Sequence, residues 1–172
     1  MSKTPSRSAA SPKTVVPKQR LAEAVERARS IFLERSLRFT DLREQVFAEI
    51  AATNGAIGAY EILERLSVKG TRLAPISVYR SIDALIEAGV IHRLESKNAY
   101  FACRRHEHAT KGRPIFLSCE RCGSVIEAEA QSIFDQINDT ARSAGFEPRV
   151  KFVEVSGICA RCAGKPARNG EA

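Results

Sequence analysis

Pro75-Ile76-Ser77-Val78-Tyr79-Arg80-Ser81-Ile82-Asp83-Ala84-Leu85-Ile86-Glu87-Ala88-Gly89 runs directly into Val90-Ile91-His92-Arg93-Leu94-Glu95. In the first part Val78, Ile82, Leu85 and Ile86 recur at helical spacing, and the fixed φ of Pro75 suits a first turn. Gly89 ends that helix. The apolar pattern then switches to alternation, a Ser96-Lys97-Asn98 turn follows, and Ala99-Tyr100-Phe101-Ala102 returns as a second strand. A helix that empties into a hairpin is the end of a unit, so its partners are sought upstream.

Upstream the spacing predicts three more helices. Leu21, Ala24, Val25, Ala28, Ile31 and Phe32 mark an amphipathic first helix from Lys18. A second opens at Thr40-Asp41, where Asp41 and Glu44 have capping-box spacing, and buries Leu42, Val46, Phe47 and Ile50 before Asn54-Gly55. A third runs from about Ala59 through Ile62, Leu63 and Leu66 to Lys69-Gly70. Short helices followed by a hairpin describe a winged helix-turn-helix over residues 18–103, with residues 1–17 as a basic, disordered tail. The last helix carries Ser77, Tyr79 and Arg80 opposite its apolar stripe, a face suited to a major groove. Arg bonds guanine or phosphate there, and Tyr packs on a thymine methyl. Arg43, Lys69, Arg72 and Arg93 are expected to hold phosphates and set register without reading sequence. An amphipathic helix with a merely solvated basic face would show the same pattern.

Downstream, Cys119-Glu120-Arg121-Cys122-Gly123 and Cys159-Ala160-Arg161-Cys162-Ala163 form two CxxC brackets. Such pairs match a tetrahedral four-cysteine zinc site of Cys119, Cys122, Cys159 and Cys162. Redox disulfides are the alternative, but a redox CxxC usually stands singly beside a βαβ pattern. Between the brackets lies room for a strand, a helix and another strand, so the zinc closes a small α/β domain. Strands are expected at Ile115–Ser118, Val125–Ala128 and Val150–Val155, with a helix turning Ile133, Phe134, Ile137 and Ala141 inward up to Gly145. Polar residues 104–113 read as a hinge, residues 114–163 as the second domain and residues 164–172 as a tail. The whole is an α+β chain.

The formal net charge is +7, from 27 Lys and Arg against 20 Asp and Glu, which favours a polyanionic partner. No apolar run approaches membrane length and the N-terminus lacks a secretory stretch, so reduced, metal-binding thiols imply a cytoplasmic protein. No nucleophile–base pairing or paired carboxylates suggest catalysis or a small-molecule substrate, so the chain reads as a non-enzyme.

The runs Ala59-Tyr60-Glu61-Ile62-Leu63 and Ser77–Leu85, the bracket from Phe116 to Gly123, and Gly157-Ile158-Cys159-Ala160-Arg161-Cys162 closely resemble the Fur family of metal-responsive repressors. The resemblance spans most of residues 18–163. Within that family the stretch from Val90 to Cys103 is similar to the zinc-uptake regulators (the Zur branch), since iron-sensing members typically lack such a His followed by a Cys at the wing end. The resemblance implies a homodimer that binds an AT-rich palindrome in double-stranded DNA when its metal is present and represses zinc-uptake genes. It implies one structural and one regulatory Zn²⁺ per monomer, and Tyr60, in the first matching run, joins Arg43 among the expected DNA contacts.

For the regulatory site the resemblance carries over to His92, Cys103 and Glu127. A hinge histidine completes the set, His108 in preference to His106, although the stretch from these histidines to Cys119 is longer than the family's usual spacing, which leaves His106 as the alternate. Such a site draws on both domains and the hinge, so occupancy fixes their relative orientation. One thiolate among nitrogen and oxygen donors suits Zn²⁺ better than Fe²⁺ or Mn²⁺. A family member sensing iron, manganese or peroxide is the alternative, and a CxxC thiol–disulfide protein is the alternative from another class. Without metal, Cys103 would be a small buried hydrophobe and Glu127 a solvated strand charge.

Overall fold

A computed structural model describes residues 16–70, 73–104, 114–149 and 152–164. Four helices come first: α1 (Lys18–Glu34), α2 (Asp41–Ala52), α3 (Ala59–Val68) and α4 (Pro75–Glu87). The hairpin of β1 (Ile91–Leu94) and β2 (Ala99–Ala102) follows, joined by a 3₁₀ turn over Glu95–Lys97. Asn98 closes that turn in the left-handed region, at φ 44°, a conformation Asn tolerates better than most residues. Phe32, Val46, Ile50, Ile57, Ile62, Val78, Ile82 and Leu85 are all at most 1% exposed and form one core under the helices. Ile57, in the α2–α3 connection, exchanges two 2.8 Å backbone hydrogen bonds with Tyr100, which ties the wing to the helices.

The sequence places the helices well and one cap one residue late. Thr40, not Asp41, caps α2: its hydroxyl accepts from the Arg43 amide at 3.4 Å, because Asp41 is already the first helical residue. Pro75 does open α4, and Gly89 follows its end at φ +69°.

The second unit is a three-stranded sheet ordered β4-β3-β5, with β3 at Pro114–Cys119, β4 at Val125–Glu129 and β5 at Glu154–Gly157. β3 pairs antiparallel with β4 and parallel with β5. Helix α5 (Gln131–Ser143) supplies the crossover, and a short turn of helix, α6 (Ala160–Ala163), carries the last bracket. Two expectations change here. The final strand begins at Glu154 rather than Val150, and Val150 itself lies outside the described residues. Of the four apolar residues assigned inward on α5 only Phe134 is buried; Ile133 is 38% exposed and lines an outward groove with Ile137, Ala141 and Phe146. An apolar stripe marks a helix face that avoids water, and sequence does not say whether its cover comes from the same chain.

The register sets the joint between the two units. Phe116 lies opposite Glu127 on β4 and opposite Glu154 on β5. Residues in register share a face of the sheet, so Glu127, Phe116 and Glu154 form one row, and each meets the wing. Phe116 packs edge-on against Phe101 with ring centroids 5.1 Å apart, a geometry worth about 0.5–1.5 kcal/mol beyond the buried area. Leu94, Phe101, Phe116 and Val125 make a small second core across the joint. The Asn54–Gly55 turn also sits against the first bracket, where a Cβ on Gly55 would meet the Gly123 carbonyl oxygen at 2.3 Å.

Candidate metal centre at the domain joint

The two brackets converge because β3 and β5 run parallel, with Cys119 opposite Gly157. Cys119 ends β3 and Cys122 lies within a tight turn closed by the Gly123 amide on the Cys119 carbonyl at 2.9 Å, with Gly123 at φ +71°. Cys159 and Cys162 flank the start of α6. All four sulfurs lie within 4.8 Å of one another, and Cys122 Sγ is 3.7 Å from Cys159 Sγ. A disulfide would need about 2.0 Å, whereas a tetrahedron of zinc–sulfur bonds has edges of about 3.8 Å. The donor set and spacing therefore fit zinc. Burial opposes charge on Cys119, but the amides of Cys159, Cys122 and Arg121 outweigh it and bring the thiol down to about 6. Burial and the neighbouring thiols push Cys162 up to about 12. A metal removes that conflict by taking all four as thiolates.

The second cluster spans the joint. His92 is on β1, Cys103 follows β2, and Glu127 is the third residue of the five in β4. One potential ligand atom from each lies within 4.8 Å of the others. Glu127 Oε2 is 3.5 Å from His92 Nε2 and 3.5 Å from Cys103 Sγ, while Oε1 accepts from the Arg104 amide at 3.1 Å. The Glu127 side chain is only 4% exposed, so it is not the solvated strand charge that a lone glutamate suggests. His92 is wedged between Phe101 and Phe116, with centroids at 5.6 Å and 5.2 Å. Burial alone would lower its pKa, but hydrogen bonds with Cys103 and Glu127 outweigh it and raise it to about 9. Burial likewise raises Glu127, and its bonds to His92 and Arg104 bring it below the usual carboxylate range. A buried nitrogen, sulfur and oxygen converging without bulk between them fit a divalent ion that accepts mixed donors. His106 and His108, the expected fourth ligand and its alternate, lie outside the described residues.

On α4 the expected DNA-facing residues differ in exposure. Arg80 is exposed and has no protein partner among the described residues, Ser77 is half-buried, and Tyr79 rests partly on the core. Tyr60, at the start of α3, is 75% exposed. Three of the expected phosphate-holding cations already have partners. Arg43 donates to the Arg38 carbonyl and stands over the Phe32 ring at 5.9 Å. Lys69 pairs with the buried Glu49. Arg93 holds Glu95 at 3.3 Å and Asn98 at 2.9 Å. Arg72 lies outside the described residues.

The sequence matches the ferric uptake regulator family over residues 34–156. The chain belongs to that family. Among its relatives, the zinc uptake regulation protein of Escherichia coli is 34% identical over 140 residues, 81% of each chain. A solved zinc uptake regulator complexed with zinc and DNA shares 33% identity at a TM-score of 0.74, covering 83% of this chain and 95% of that one. Holo XcZur shares 36% at a TM-score of 0.73, covering 83% and 99%. In this member of the ferric uptake regulator family the residues missed in the sequence are those of the joint. Glu154, Gly55 and Arg104 carry no motif, and only the register of β5 and the docking of the wing give them partners.

Proposed function

We propose that this chain is a zinc-responsive transcriptional repressor: a cytoplasmic, non-enzymatic homodimer that binds a palindromic, AT-rich operator when zinc-loaded and turns off zinc-uptake genes. The observation that carries this reading is the meeting of His92 and Cys103 from the winged unit with Glu127 from the sheet unit. Residues 18–103 serve as the DNA-binding domain, 104–113 as the hinge and 114–163 as the dimerisation domain. Cys119, Cys122, Cys159 and Cys162 hold the structural ion, and His92, Cys103, Glu127 and His108 (or His106) the regulatory one.

Bound zinc supplies a common centre that ties these donors together, and the chain's own residues do the rest. His92 and Cys103 bracket the wing, so fixing them to Glu127 fixes the angle at which α4 is presented. In a dimer, two such helices set about one DNA turn apart match a palindrome. The outward apolar residues Ile126, Phe146, Phe152 and Val155 support a second copy as the cover of the sheet unit, since they are 53%, 66%, 60% and 48% exposed. Ser77, Tyr79 and Arg80 then face base edges, while Tyr60 and Arg43 reach the backbone.

The test is DNA binding against buffered free zinc, repeated with iron and manganese, on duplexes selected by the protein from a random pool. Zinc alone should raise affinity at low free concentration, with two zinc ions per chain at saturation. A response to iron or manganese instead would move the chain to the other sensing reading. Two titratable disulfides and no bound metal in reduced protein would replace both with redox chemistry.

A further inference from the structure

The row Glu127–Phe116–Glu154 carries a second carboxylate that the metal centre does not use. Glu154 is the first residue of β5 and stands across Phe116 from Glu127, so the two backbones are about 10 Å apart by strand spacing. Its carboxylate accepts two backbone hydrogen bonds from the wing: Oε1 from the Glu95 amide at 2.6 Å and Oε2 from the Ser96 amide at 3.1 Å. These amides begin the 3₁₀ turn between β1 and β2 and have no partner within the hairpin ladder. The carboxylate therefore caps the wing turn from the other domain, a separation of 59 and 58 residues along the chain.

We infer that Glu154 is a positioning residue of the switch, a metal-independent latch that holds the wing on the sheet and so sets how tightly the His92–Cys103–Glu127 centre binds zinc. The inference rests on the reading of that centre as the regulatory site. Two bonds to one planar group fix the wing in distance and in rotation, which a single apolar contact cannot do. Arrangements with the wing detached leave Glu154 bonded only to water and separate His92 from Glu127. The latch and the metal centre thus favour the same arrangement from opposite sides of Phe116. Apparent affinity at a site that exists in one arrangement scales with the fraction of molecules in it, so a latch that raises this fraction raises the affinity by the same factor. Burial opposes the Glu154 charge, and the Ser96 hydroxyl, the Ser96 and Glu95 amides and Lys97 outweigh it, which holds the carboxyl below its usual range.

The experiment is a competition titration of the regulatory site with a fluorescent zinc chelator, on full-length dimer whose four-cysteine site is filled. Glu154→Ala should weaken regulatory zinc five- to fiftyfold. Glu154→Gln, which keeps the shape but points an N–H₂ at one amide, should weaken it less. Dimer mass, circular dichroism and two-zinc stoichiometry at saturation should match the native protein. Affinity within twofold of native in both variants overturns the latch, and so does a drop in thermal stability with unchanged zinc affinity. His92→Ala is run beside them. If it still binds two zinc ions per chain, the regulatory-site reading itself falls; if it binds one while Glu154→Ala is unaffected, only the latch falls.

Discussion

Gly55, in the turn between α2 and α3, lies backbone to backbone against Gly123 of the first cysteine bracket, so close that a Cβ would stand 2.3 Å from the Gly123 carbonyl oxygen. The winged unit is seated on the metal knuckle itself. Since Gly55 is outside the left-handed region, alanine fits its own backbone and at a compatible site gains about 0.4–1 kcal/mol through the unfolded state. Gly55→Ala should therefore leave both units folded and wedge them apart. Zinc-dependent DNA affinity should drop at least tenfold with dimer mass and four-cysteine zinc intact. Native affinity in this variant would show that the seat is dispensable.

Cys103 supplies the only sulfur of the joint centre. Cys103→Ser should fall from two zinc ions per chain to one and lose zinc-dependent DNA binding while remaining a folded dimer. Metal analysis with a gel-shift titration checks both. A variant that still switches with zinc places the sensing thiol elsewhere.

Removing a bracket cysteine acts on folding. Structural zinc contributes on the order of 10 kcal/mol in small modules, and among the described residues the sheet unit has few buried apolar side chains beyond Phe116, Val125 and Phe134. Cys162→Ser, or strong chelation, should abolish dimerisation and melt the sheet unit while the helices of the winged unit persist. Amide exchange resolves the two: fast exchange in β3 and β5, retained protection in α2 and α4.

Regulatory zinc affinity should rise with pH. His92 is held at about 9 in the metal-free centre, and zinc takes only neutral imidazole, so a proton leaves on binding. This contributes about tenfold in affinity per pH unit between about pH 7 and 8, fading above about 9. The same shift runs the other way for metal-free docking. The His92 contribution is fully present below 6.5 and is lost as pH rises through about 9. Chelator competition at several pH values reads the slope, and a flat profile would contradict the raised imidazole.

Arg80 and Lys69 should separate base reading from scaffolding. Arg80→Ala removes an exposed guanidinium that has no partner among the described residues and should cost about 1–3 kcal/mol of DNA binding if it reads a base, with relaxed preference at one position. Lys69→Ala strands the buried carboxylate of Glu49, apart from Arg65 at 3.9 Å, so its main effect should be on thermal stability. Melting curves and selected-site affinities on both variants test the division.

The helices and wing were legible because their apolar residues repeat with the period of the element that buries them, as Val78, Ile82 and Leu85 do in α4. The brackets were legible because tetrahedral coordination restricts ligand spacing. What stayed hidden was relational. Ile133 carries the same helical signal as Phe134, yet only Phe134 is covered within the chain. Thr40 and Asp41 are both good caps, and the structure decides between them by one residue. Glu154 carries no sign of its contacts in the sequence, because a parallel register between β3 and β5 leaves no mark in either segment.

That register has a consequence for how the molecule is made. Cys119 faces Gly157 across the parallel pair, so a slip of one residue would turn every side chain of β5 to the wrong face and carry Cys159 away from the first bracket. The four sulfurs meet in one alignment only, and the last of them is not available until synthesis has passed Cys162. The four-sulfur site is thus a test of the finished sheet: it assembles only on a β5 paired in this register.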